Sequence, residues 1–280
     1  MTISGAGSVR MSSRARQLGV GIGLLLLAGC GGEGADGPSR WQPRLDATWR
    51  YQLSEPVTAP VSGVDVYVLD LFDTPGETVS ALKAGGARVV AYFSAGSYED
   101  WRPDASRYPG NIVGAPYEGW PGERWVDIRA LDVLGPILRD RLDLAVQKGF
   151  DGVDPDNVDG YLNATGFPLR DADQIHFNRW IAREAHRRGL AVGLKNDPEQ
   201  ATVLEPDFDF AVSESCYAEG WCDLWKPFVD AAKPVLAIEY TDTLSESEFV
   251  NGACASVLAG VRPVLCRREL DGWTMSCPGN

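Results

Sequence analysis

Carboxylates are concentrated in the stretch FDGVDPDNVDGY, residues 150–161, where four aspartates occur within nine residues of an otherwise apolar, strand-like setting. A second candidate acid, Glu214, ends the stretch FDFAVSE further along the chain. Two carboxylates across a pocket can divide acid and base work, since one donates a proton to a leaving oxygen while the other attacks carbon or activates water. We expect Asp156 and Glu214 to face each other in this way, with one pKa raised by the neighbouring charge and by partial desolvation.

Other kinds of reactive site fit the sequence less well. A calcium loop that begins at Asp154 would need glycine at its sixth position, where Asp159 stands. A zinc site would need paired ligands, yet the chain has no CxxC pair and its only histidines are His176 and His186. No Gly-x-Ser-x-Gly elbow is present either. We therefore predict neither a metal nor an organic cofactor.

The elements that would position these acids alternate along the chain. Short apolar runs rich in β-branched residues are separated by helical patterns, which is typical of βα units around a parallel sheet. The eight runs are residues 64–70, 87–94, 124–128, 151–155, 190–195, 208–214, 233–240 and 261–266. Helical patterns cover residues 76–83, 131–147, 172–188, 223–232 and 245–258. The sequence predicts an α/β fold, a single (β/α)8 TIM barrel; a doubly wound sheet is the competing fold, but no glycine-rich phosphate loop follows the first strand.

Polar side chains follow almost every predicted strand. In such barrels the carboxyl ends of the strands carry the chemistry, because the βα loops converge there over the mouth. Besides the catalytic pair, we expect substrate-binding residues at Asp70, Tyr92, Ser94, Asp127, Asp154, Asn157, Lys195, Asn196, Glu239 and Tyr240. Flat aromatic faces on which sugar rings stack could come from Trp49, Trp101, Trp120, Trp125 and Trp221, of which we select Trp120.

The segment between the second and third predicted strands departs from the βα rhythm. Residues 96–122 are rich in Pro, Gly, Trp and Tyr and show no helical period. The pattern predicts a long loop over the carboxyl face of the barrel, with either a functional or a merely covering role.

The first thirty residues read as an export signal. Arg10, Arg14 and Arg16 precede an apolar run, residues 18–27, that is too short to span a membrane as a mature helix. The run ends in Leu-Ala-Gly-Cys, which is typical of bacterial lipoprotein signals and predicts a lipidated Cys30; an ordinary signal with an incidental cysteine is the alternative. Residues 31–40 would be a flexible tether and 41–280 the catalytic domain, a monomer outside the cytoplasm held at a membrane by its lipid anchor.

Charge and cysteine content narrow the class of partner. Removing residues 1–30 takes away three arginines and no acid, which changes the net charge from −13 to −16. This sign argues against nucleic acid and is compatible with a cationic ligand, although a generally acidic surface also explains it. In an oxidising compartment Cys216 could pair with Cys222 and Cys254 with Cys277, which would leave a buried thiol at Cys266.

The sequence resembles the endo-α-1,4-polygalactosaminidases of glycoside hydrolase family 114. The stretches that carry the resemblance run in order through almost the whole mature chain: WQPRLDATWRYQLS, VDVYVLDLFDT, VVAYFSAGSYEDWRPD, GWPGERWVDIR, GFDGVDPDNVDGY, VGLKND, FAVSESCYAEGWC, KPVLAIEY and LDGWTMSC. The resemblance implies a (β/α)8 barrel that hydrolyses α-1,4 linkages in polymers containing galactosamine, whose free amines are cationic. A mouth lined by Asp70, Asp127, Asp154, Asp156, Glu214 and Glu239 would attract such a polymer.

The resemblance also implies roles for single residues. The catalytic acids of the family fall on the Asp of DPDN and the Glu of FAVSE, which makes Asp156 the nucleophile or base and Glu214 the general acid, with Asp154 as the rival for the first role. The run SESC stands where the family commonly has an Asn-Glu-Gln-Cys-like run, a departure that concerns fine specificity more than chemistry. The same resemblance supports the two disulfides, Cys216 with Cys222 and Cys254 with Cys277.

Two alternatives stay open at this point. A non-catalytic glycan-binding lipoprotein would keep the barrel and its aromatic residues, but binding alone would not need both candidate acids. A glycosidase for another α-linked sugar would keep the acids and differ in its substrate. The distance between the two carboxylates would decide whether the anomeric centre is retained, which we favour, or inverted.

Overall fold

The computed structural model of this chain describes residues 40–58 and 60–279. Twelve strands occur in these ranges: β1 (Trp49–Gln52), β2 (Val66–Asp70), β3 (Arg88–Ser94), β4 (Ser97–Glu99), β5 (Val113–Pro116), β6 (Glu123–Val126), β7 (Gly152–Asp156), β8 (Ala191–Lys195), β9 (Phe210–Glu214), β10 (Val235–Tyr240), β11 (Val261–Cys266) and β12 (Thr274–Ser276). The helices are α1 (Gly76–Ala84), α2 (Leu131–Lys148), α3 (Asp171–His186), α4 (Ala201–Leu204), α5 (Cys216–Glu219), α6 (Lys226–Asp230), α7 (Glu246–Glu248) and α8 (Cys254–Ser256), with a π-helical turn at Phe249–Ala253.

Eight parallel strands form the wall of a nearly closed barrel, which confirms the predicted fold. Hydrogen-bonded neighbours follow the order β1, β2, β3, β7, β8, β9, β10 and β11, and β12 adds antiparallel to β11. The seam between β11 and β1 is joined by side chains: the Trp49 indole donates to the carbonyl of Arg262 at 2.8 Å, and the Arg262 guanidinium donates to the carbonyl of Ala47 at 3.4 Å. Between the strands, α1, α2 and α3 occupy the predicted helical segments.

One of the eight predicted barrel strands was wrong, and one real strand was missed. The run 124–128 does not enter the barrel; most of it forms β6, in a separate antiparallel sheet. The barrel strand in its place is β1, which has only four residues and alternates buried Trp49 and Tyr51 with partly exposed Arg50 and Gln52. Such a short, half-polar run lacks the continuous apolar character that marks strands buried on both faces.

The predicted long loop is an inserted sheet. Residues between β3 and β7 pair in the order β4, β6, β5, with Ser97 opposite Trp125 and Glu99 opposite Glu123. Trp125 is buried under the sheet. The prediction that this segment contains no long helix is confirmed. Its strands have only three or four residues each, and alternation over so short a run is too weak to predict an antiparallel sheet.

Alternate residues of the barrel strands fill its interior. Val66 and Val68, Phe210 and Val212, and Leu236 and Ile238 belong to one buried cluster inside the barrel. Helix-facing residues such as Val153 belong to a second cluster between the sheet and the helices. Because side chains alternate along a strand, the last inward-facing residues of β7, β8, β9 and β10 are Asp156, Lys195, Glu214 and Tyr240, and they form a polar layer above the apolar ones.

The chain enters the barrel from its amino-terminal face. Arg40 and Gln42 both donate to Asp209 Oδ1, at 2.8 and 3.0 Å, just before β9 begins. Trp41 packs beside Phe210, with 6.3 Å between ring centroids. This docking fixes the start of the domain at the end opposite to the polar layer.

Both expected disulfides are present, between Cys216 and Cys222 and between Cys254 and Cys277, and Cys266 is a buried free thiol. The predicted signal, the lipidated Cys30 and nearly all of the tether lie outside the described residues. Across the residues that are described, no helix has both the length and the apolar character needed to cross a bilayer.

Candidate active site

A cavity of about 1210 Å³ opens at the carboxyl ends of the barrel strands. Nine of the residues predicted from the sequence line it: Asp70, Tyr92, Trp120, Asp156, Asn157, Lys195, Asn196, Glu214 and Tyr240. Eleven carboxylates but only three cationic side chains, Arg102, Lys195 and Arg268, lie in its lining, so the cavity attracts cations.

Lys195 lies between the two candidate catalytic acids. Its ammonium nitrogen is 3.2 Å from Asp156 Oδ1 and 3.1 Å from Glu214 Oε2, and the residue is only 1% exposed. The rings of Tyr51 and Tyr92 flank the ammonium at 5.5 and 5.6 Å. Burial would lower the pKa of Lys195, but the charges on Asp156, Glu214 and Asp154 raise it well above its usual value. The lysine therefore stays charged and holds the two acids together.

Glu214 is fixed by three donors. The Asn196 amide donates to Oε2 at 2.8 Å, the Tyr240 hydroxyl donates to Oε1, and Lys195 approaches Oε2. The Asn196 side chain also accepts from the backbone N–H of Glu214 at 2.9 Å. Burial favours a raised pKa, yet Lys195, Tyr240 and Asn196 outweigh it and lower the pKa of Glu214 below its usual value. The expected raised pKa is therefore not found at this residue in the free protein, because a buried cation lies beside it.

Asp156 is held by neighbours from β3 and from its own strand end. The Tyr92 hydroxyl donates to Oδ2 at 2.9 Å, and the backbone N–H of Asn157 donates to Oδ1 at 2.9 Å. The Asn157 amide in turn donates to Ser94, Ser97 and Glu123. Asp156 is thus linked through Asn157 to the inserted sheet.

The three residues that follow the catalytic strand ends share an unusual backbone conformation. Asn157, Asn196 and Ser215, directly after Asp156, Lys195 and Glu214, have φ values of 60°, 49° and 59°. Non-glycine residues adopt this left-handed region infrequently, and asparagine does so most easily. All three residues line the cavity, so the unusual backbone lies at the mouth itself.

Four predicted substrate-binding residues do not line the cavity, which corrects the expectation of a mouth lined by six free acids. Asp154 lies one layer deeper, is fully buried and accepts from the Tyr51 hydroxyl at 2.8 Å. Glu239 accepts from the backbone N–H groups of Tyr217 and Ala218. Asp127 follows β6 in the inserted sheet and pairs with Arg129 at 2.8 Å, and Ser94 is buried in the Asn157 network. A position near the end of a predicted strand therefore does not tell whether a residue reaches the mouth. That depends on the layer in which the residue lies, on its neighbours and on whether its strand belongs to the barrel.

Asp70 lines the cavity but is not a free acid. Arg102 donates to both of its carboxylate oxygens, at 3.1 and 2.7 Å, and also to Glu99 at 2.9 Å. All three side chains are buried. This ion pair therefore braces the inserted sheet against β2.

Sequence reasoning missed several cavity residues. Tyr51 belongs to the unrecognised β1, Tyr117 follows β5 of the inserted sheet, and Glu123 begins β6. Asp159, considered above only as a position in a calcium loop, lines the cavity as well. Burial raises the pKa values of both Glu123 and Asp159 to about 7, and the charge on Asp156 adds to this in each case. An antiparallel reading of residues 97–126 would have placed Glu123 opposite Glu99 and close to the mouth.

The aromatic residues divide between core and rim. Trp49 and Trp125 are buried, whereas Trp101 and Trp120 line the cavity with 49% and 55% of their surfaces exposed. Trp221 also lines the cavity and follows α5. Exposed aromatic faces beside a cluster of carboxylates are typical of sites that bind sugar rings.

Comparison with known proteins gives consistent matches. A family model described as glycoside-hydrolase family GH114 matches residues 33–280. The crystal structure of Aspergillus fumigatus Ega3 in complex with galactosamine is 35% identical, covers 87% of this chain and 100% of that chain, and has a TM-score of 0.82. The glycoside hydrolase domain of PelA from Pseudomonas aeruginosa has the same fold, with 18% identity, coverage of 82% and 98%, and a TM-score of 0.65. An uncharacterized protein of Deinococcus radiodurans is 26% identical over 268 residues, 85% of this chain and 83% of its own.

Proposed function

The chain belongs to glycoside hydrolase family GH114 and is a glycoside hydrolase, and on that basis we propose that it hydrolyses α-1,4 linkages inside a polysaccharide that contains galactosamine. The observation that carries the proposal is the pair Asp156 and Glu214, bridged by Lys195 at the floor of the cavity. The excess of carboxylates in the lining suits a polymer whose free amines are cationic. The related Ega3 structure is a complex with galactosamine, which supports the same class of sugar.

In the proposed reaction the sugar carbon of the scissile bond lies between the two carboxylates. An Asp156 oxygen forms a bond to this carbon while the glycosidic bond breaks and Glu214 gives its proton to the leaving oxygen. In the second step Glu214 takes a proton from water, the water oxygen bonds to the carbon, and the bond to Asp156 breaks. Tyr92 and Asn157 hold Asp156, and Asn196 holds Glu214, in position for both steps.

The separation of the carboxylates favours retention of configuration. Because one ammonium nitrogen lies 3.2 Å from Asp156 Oδ1 and 3.1 Å from Glu214 Oε2, these two oxygens are less than twice 3.2 Å apart. Inverting enzymes need about 6.5 to 9.5 Å between the carboxyl groups to admit a water, and retaining enzymes about 5 to 5.5 Å. This upper limit between one oxygen of each group supports retention, and the proposal therefore includes a covalent intermediate on Asp156.

If Glu214 is the general acid, its pKa must be higher in the substrate complex than in the free protein. Glu214 must be protonated in the first step, whereas its contacts favour the ionised form in the free protein. The assignment therefore requires that a bound sugar, by excluding water from the cavity, raises the pKa of Glu214.

Polysaccharide hydrolysis tests the proposed function. We expect the purified domain to release short oligosaccharides from deacetylated galactosaminan, and Asp156→Asn or Glu214→Gln to lower the rate by about 100-fold or more. Release of reducing ends from a different α-linked polymer, and none from galactosaminan, would reject the substrate. Full activity in both variants would reject the catalytic pair.

Azide rescue tests the two roles. With an activated aryl α-galactosaminide, Glu214→Ala should keep bond cleavage and give an azide product of retained configuration if Glu214 is the acid and base. A rescued product of inverted configuration would instead make Glu214 the nucleophile and exchange the two assignments.

We also propose that the enzyme is exported and is held at a membrane by a lipid on Cys30. Arg10, Arg14 and Arg16 before the apolar run, and the Leu-Ala-Gly-Cys sequence, support it. Labelled palmitate should be incorporated into the full-length protein in a bacterial host and lost in Cys30→Ala. If the protein is exported without the palmitate label and is cleaved at another site, the segment is an ordinary signal peptide and Cys30 is not lipidated.

A further inference from the structure

Several of the eleven carboxylates that line the cavity already have a partner. Asp156 and Glu214 share Lys195, and Asp70 and Glu99 share Arg102. Glu219 accepts from the Trp221 indole at 3.0 Å. Among the remaining lining acids four are exposed at the rim: Asp73, Glu118, Glu199 and Glu269. Glu123 and Asp159 are left as the two more deeply placed acids for which the described part of the chain supplies no cation.

Glu123 has the better-defined geometry of the two. It is only 8% exposed, and its Oε1 accepts from the Asn157 amide at 2.8 Å and from the Ser97 hydroxyl. Among the described residues none donates a hydrogen bond to its other oxygen, Oε2. Asp159, by contrast, is half-buried and has a single side-chain contact, from Asn163 at 3.4 Å. A buried carboxylate with one oxygen clamped and the other without a donor is prepared for a cation from outside.

The position of Glu123 relates it to one atom of the proposed substrate. Its partner Asn157 follows Asp156 directly, and Glu123 and Asp156 line the same cavity, close enough for the charge on Asp156 to raise the pKa of Glu123. In galactosamine the amino group is on the carbon next to the one that is attacked. A group that recognises this amine must therefore lie beside the catalytic pair, and both acids of that pair are already paired with Lys195.

We propose that Glu123 is the residue that selects a free amino sugar, by accepting a charge-assisted hydrogen bond from the ammonium group next to the reacting carbon. This inference rests on the proposed function and adds to it the residue that distinguishes galactosamine from its N-acetylated form. An acetamido group in the same place would bring a neutral amide against a buried carboxylate and leave that carboxylate without its counter-ion.

Binding measurements with methyl α-galactosaminide and its N-acetyl derivative test the assignment. Glu123→Gln keeps an amide oxygen that can accept from Asn157 and Ser97, but replaces the free carboxylate oxygen with a donor. We expect the wild-type protein to prefer the free amine, and Glu123→Gln to lose at least about tenfold in affinity for it while binding of the N-acetyl derivative stays the same or improves. Glu118→Gln, the same change at an exposed acid of the same lining, is the control and should keep the wild-type preference.

Several outcomes would overturn the assignment. An unchanged preference in Glu123→Gln would do so, as would loss of the preference in Asp159→Asn instead. If Glu123→Gln loses the same factor in affinity for both ligands, Glu123 only positions Asn157 and does not select the amine. Hydrolysis by the wild-type protein is scored separately: binding selectivity that depends on Glu123 without any hydrolysis would reject the proposed function and leave the amine-selecting residue in place.

Discussion

Lys195 places a permanent cation between two acids that a glycosidase would use in different protonation states. A lysine fully removed from solvent is costly unless its charge is compensated, and here Asp156 and Glu214 compensate it directly. Its charge lowers the pKa of Glu214, and the two acids in turn raise the pKa of Lys195. The protonation state of Glu214 is therefore set together with that of the lysine rather than by the carboxylate alone.

Replacing Lys195 tests this coupling. In Lys195→Met the attractive charge beside Glu214 is lost, so the pKa of Glu214 should rise. We expect the limb of the pH profile of kcat/KM that reports Glu214 to move to higher pH by about 1 to 3 pH units. The profile is measured on galactosaminan oligosaccharides, whose sugar leaving group needs the acid, with circular dichroism as the folding control. An unmoved limb in a folded variant would show that the lysine does not control Glu214.

Single residues were predictable where a parallel strand delivers them. Asp156, Lys195 and Glu214 are the last residues of β7, β8 and β9, and a strand end is visible in the sequence as the point where an apolar run becomes polar. Glu123 was not predictable in this way, because it begins an antiparallel strand that reaches the mouth from outside the barrel. The position of the strand end also could not show that Asp156 lines the cavity while Asp154 is buried one layer below it.

At the scale of elements, the inserted sheet is pressed against the end of β7. A Cβ atom on Gly96 would lie 1.7 Å from the carbonyl oxygen of Asn157. The backbone N–H groups of Ala95 and Gly96 donate to the carbonyl of Asp156 at 2.9 and 3.1 Å. The start of the insertion and the catalytic strand end therefore fit closely enough that only glycine is accommodated.

Gly96→Ala should displace Asn157 and with it Asp156. Since a shift of about 1 Å in a catalytic group can cost about 100-fold in rate, we expect a fall in kcat/KM approaching that size. Gly110→Ala is the matched control, because a Cβ atom there meets nothing within 4 Å. Wild-type kinetics in a folded Gly96→Ala would show that the insertion can move without disturbing the strand.

The βα rhythm was enough to predict the barrel, although not its composition. Helices α1, α2 and α3 have clear helical periods and glycine or arginine at their ends, and they were placed within two residues. Strand β1 was missed because tertiary packing of Trp49 and Tyr51, rather than local pattern, selects it. The inserted sheet depends in the same way on pairing between segments distant in sequence.

At the scale of the whole molecule, buried acids make stability depend on pH. Burial raises the pKa values of Asp154, Glu123 and Asp159 to about 7 and of Asp197 to about 8. Each of these groups binds its proton more tightly in the folded than in the unfolded state, where an aspartate has a pKa of about 4. Their contribution to stability is complete below about pH 4 and is lost as the pH rises through 7 to 8.

The free energy of unfolding should therefore fall between pH 5 and pH 9. Groups with lowered pKa values, such as Asp209 and Asp242, change their contribution only in more acidic solution and do not offset the loss. We expect Tm to decrease by several degrees over this range, and Asp197→Asn to make the decrease smaller. Differential scanning calorimetry of both proteins measures it, and a Tm that rises towards pH 9 would contradict the argument.

The contacts of Arg40 and Gln42 with Asp209 fix where the leading segment joins the barrel. These contacts lie before β9, whereas the cavity lies beyond the last residue of the same strand, so the leading segment and the mouth are at opposite poles of the barrel. An attachment through that segment would therefore meet the barrel at the end away from the cavity and would leave the mouth open to a long polymer.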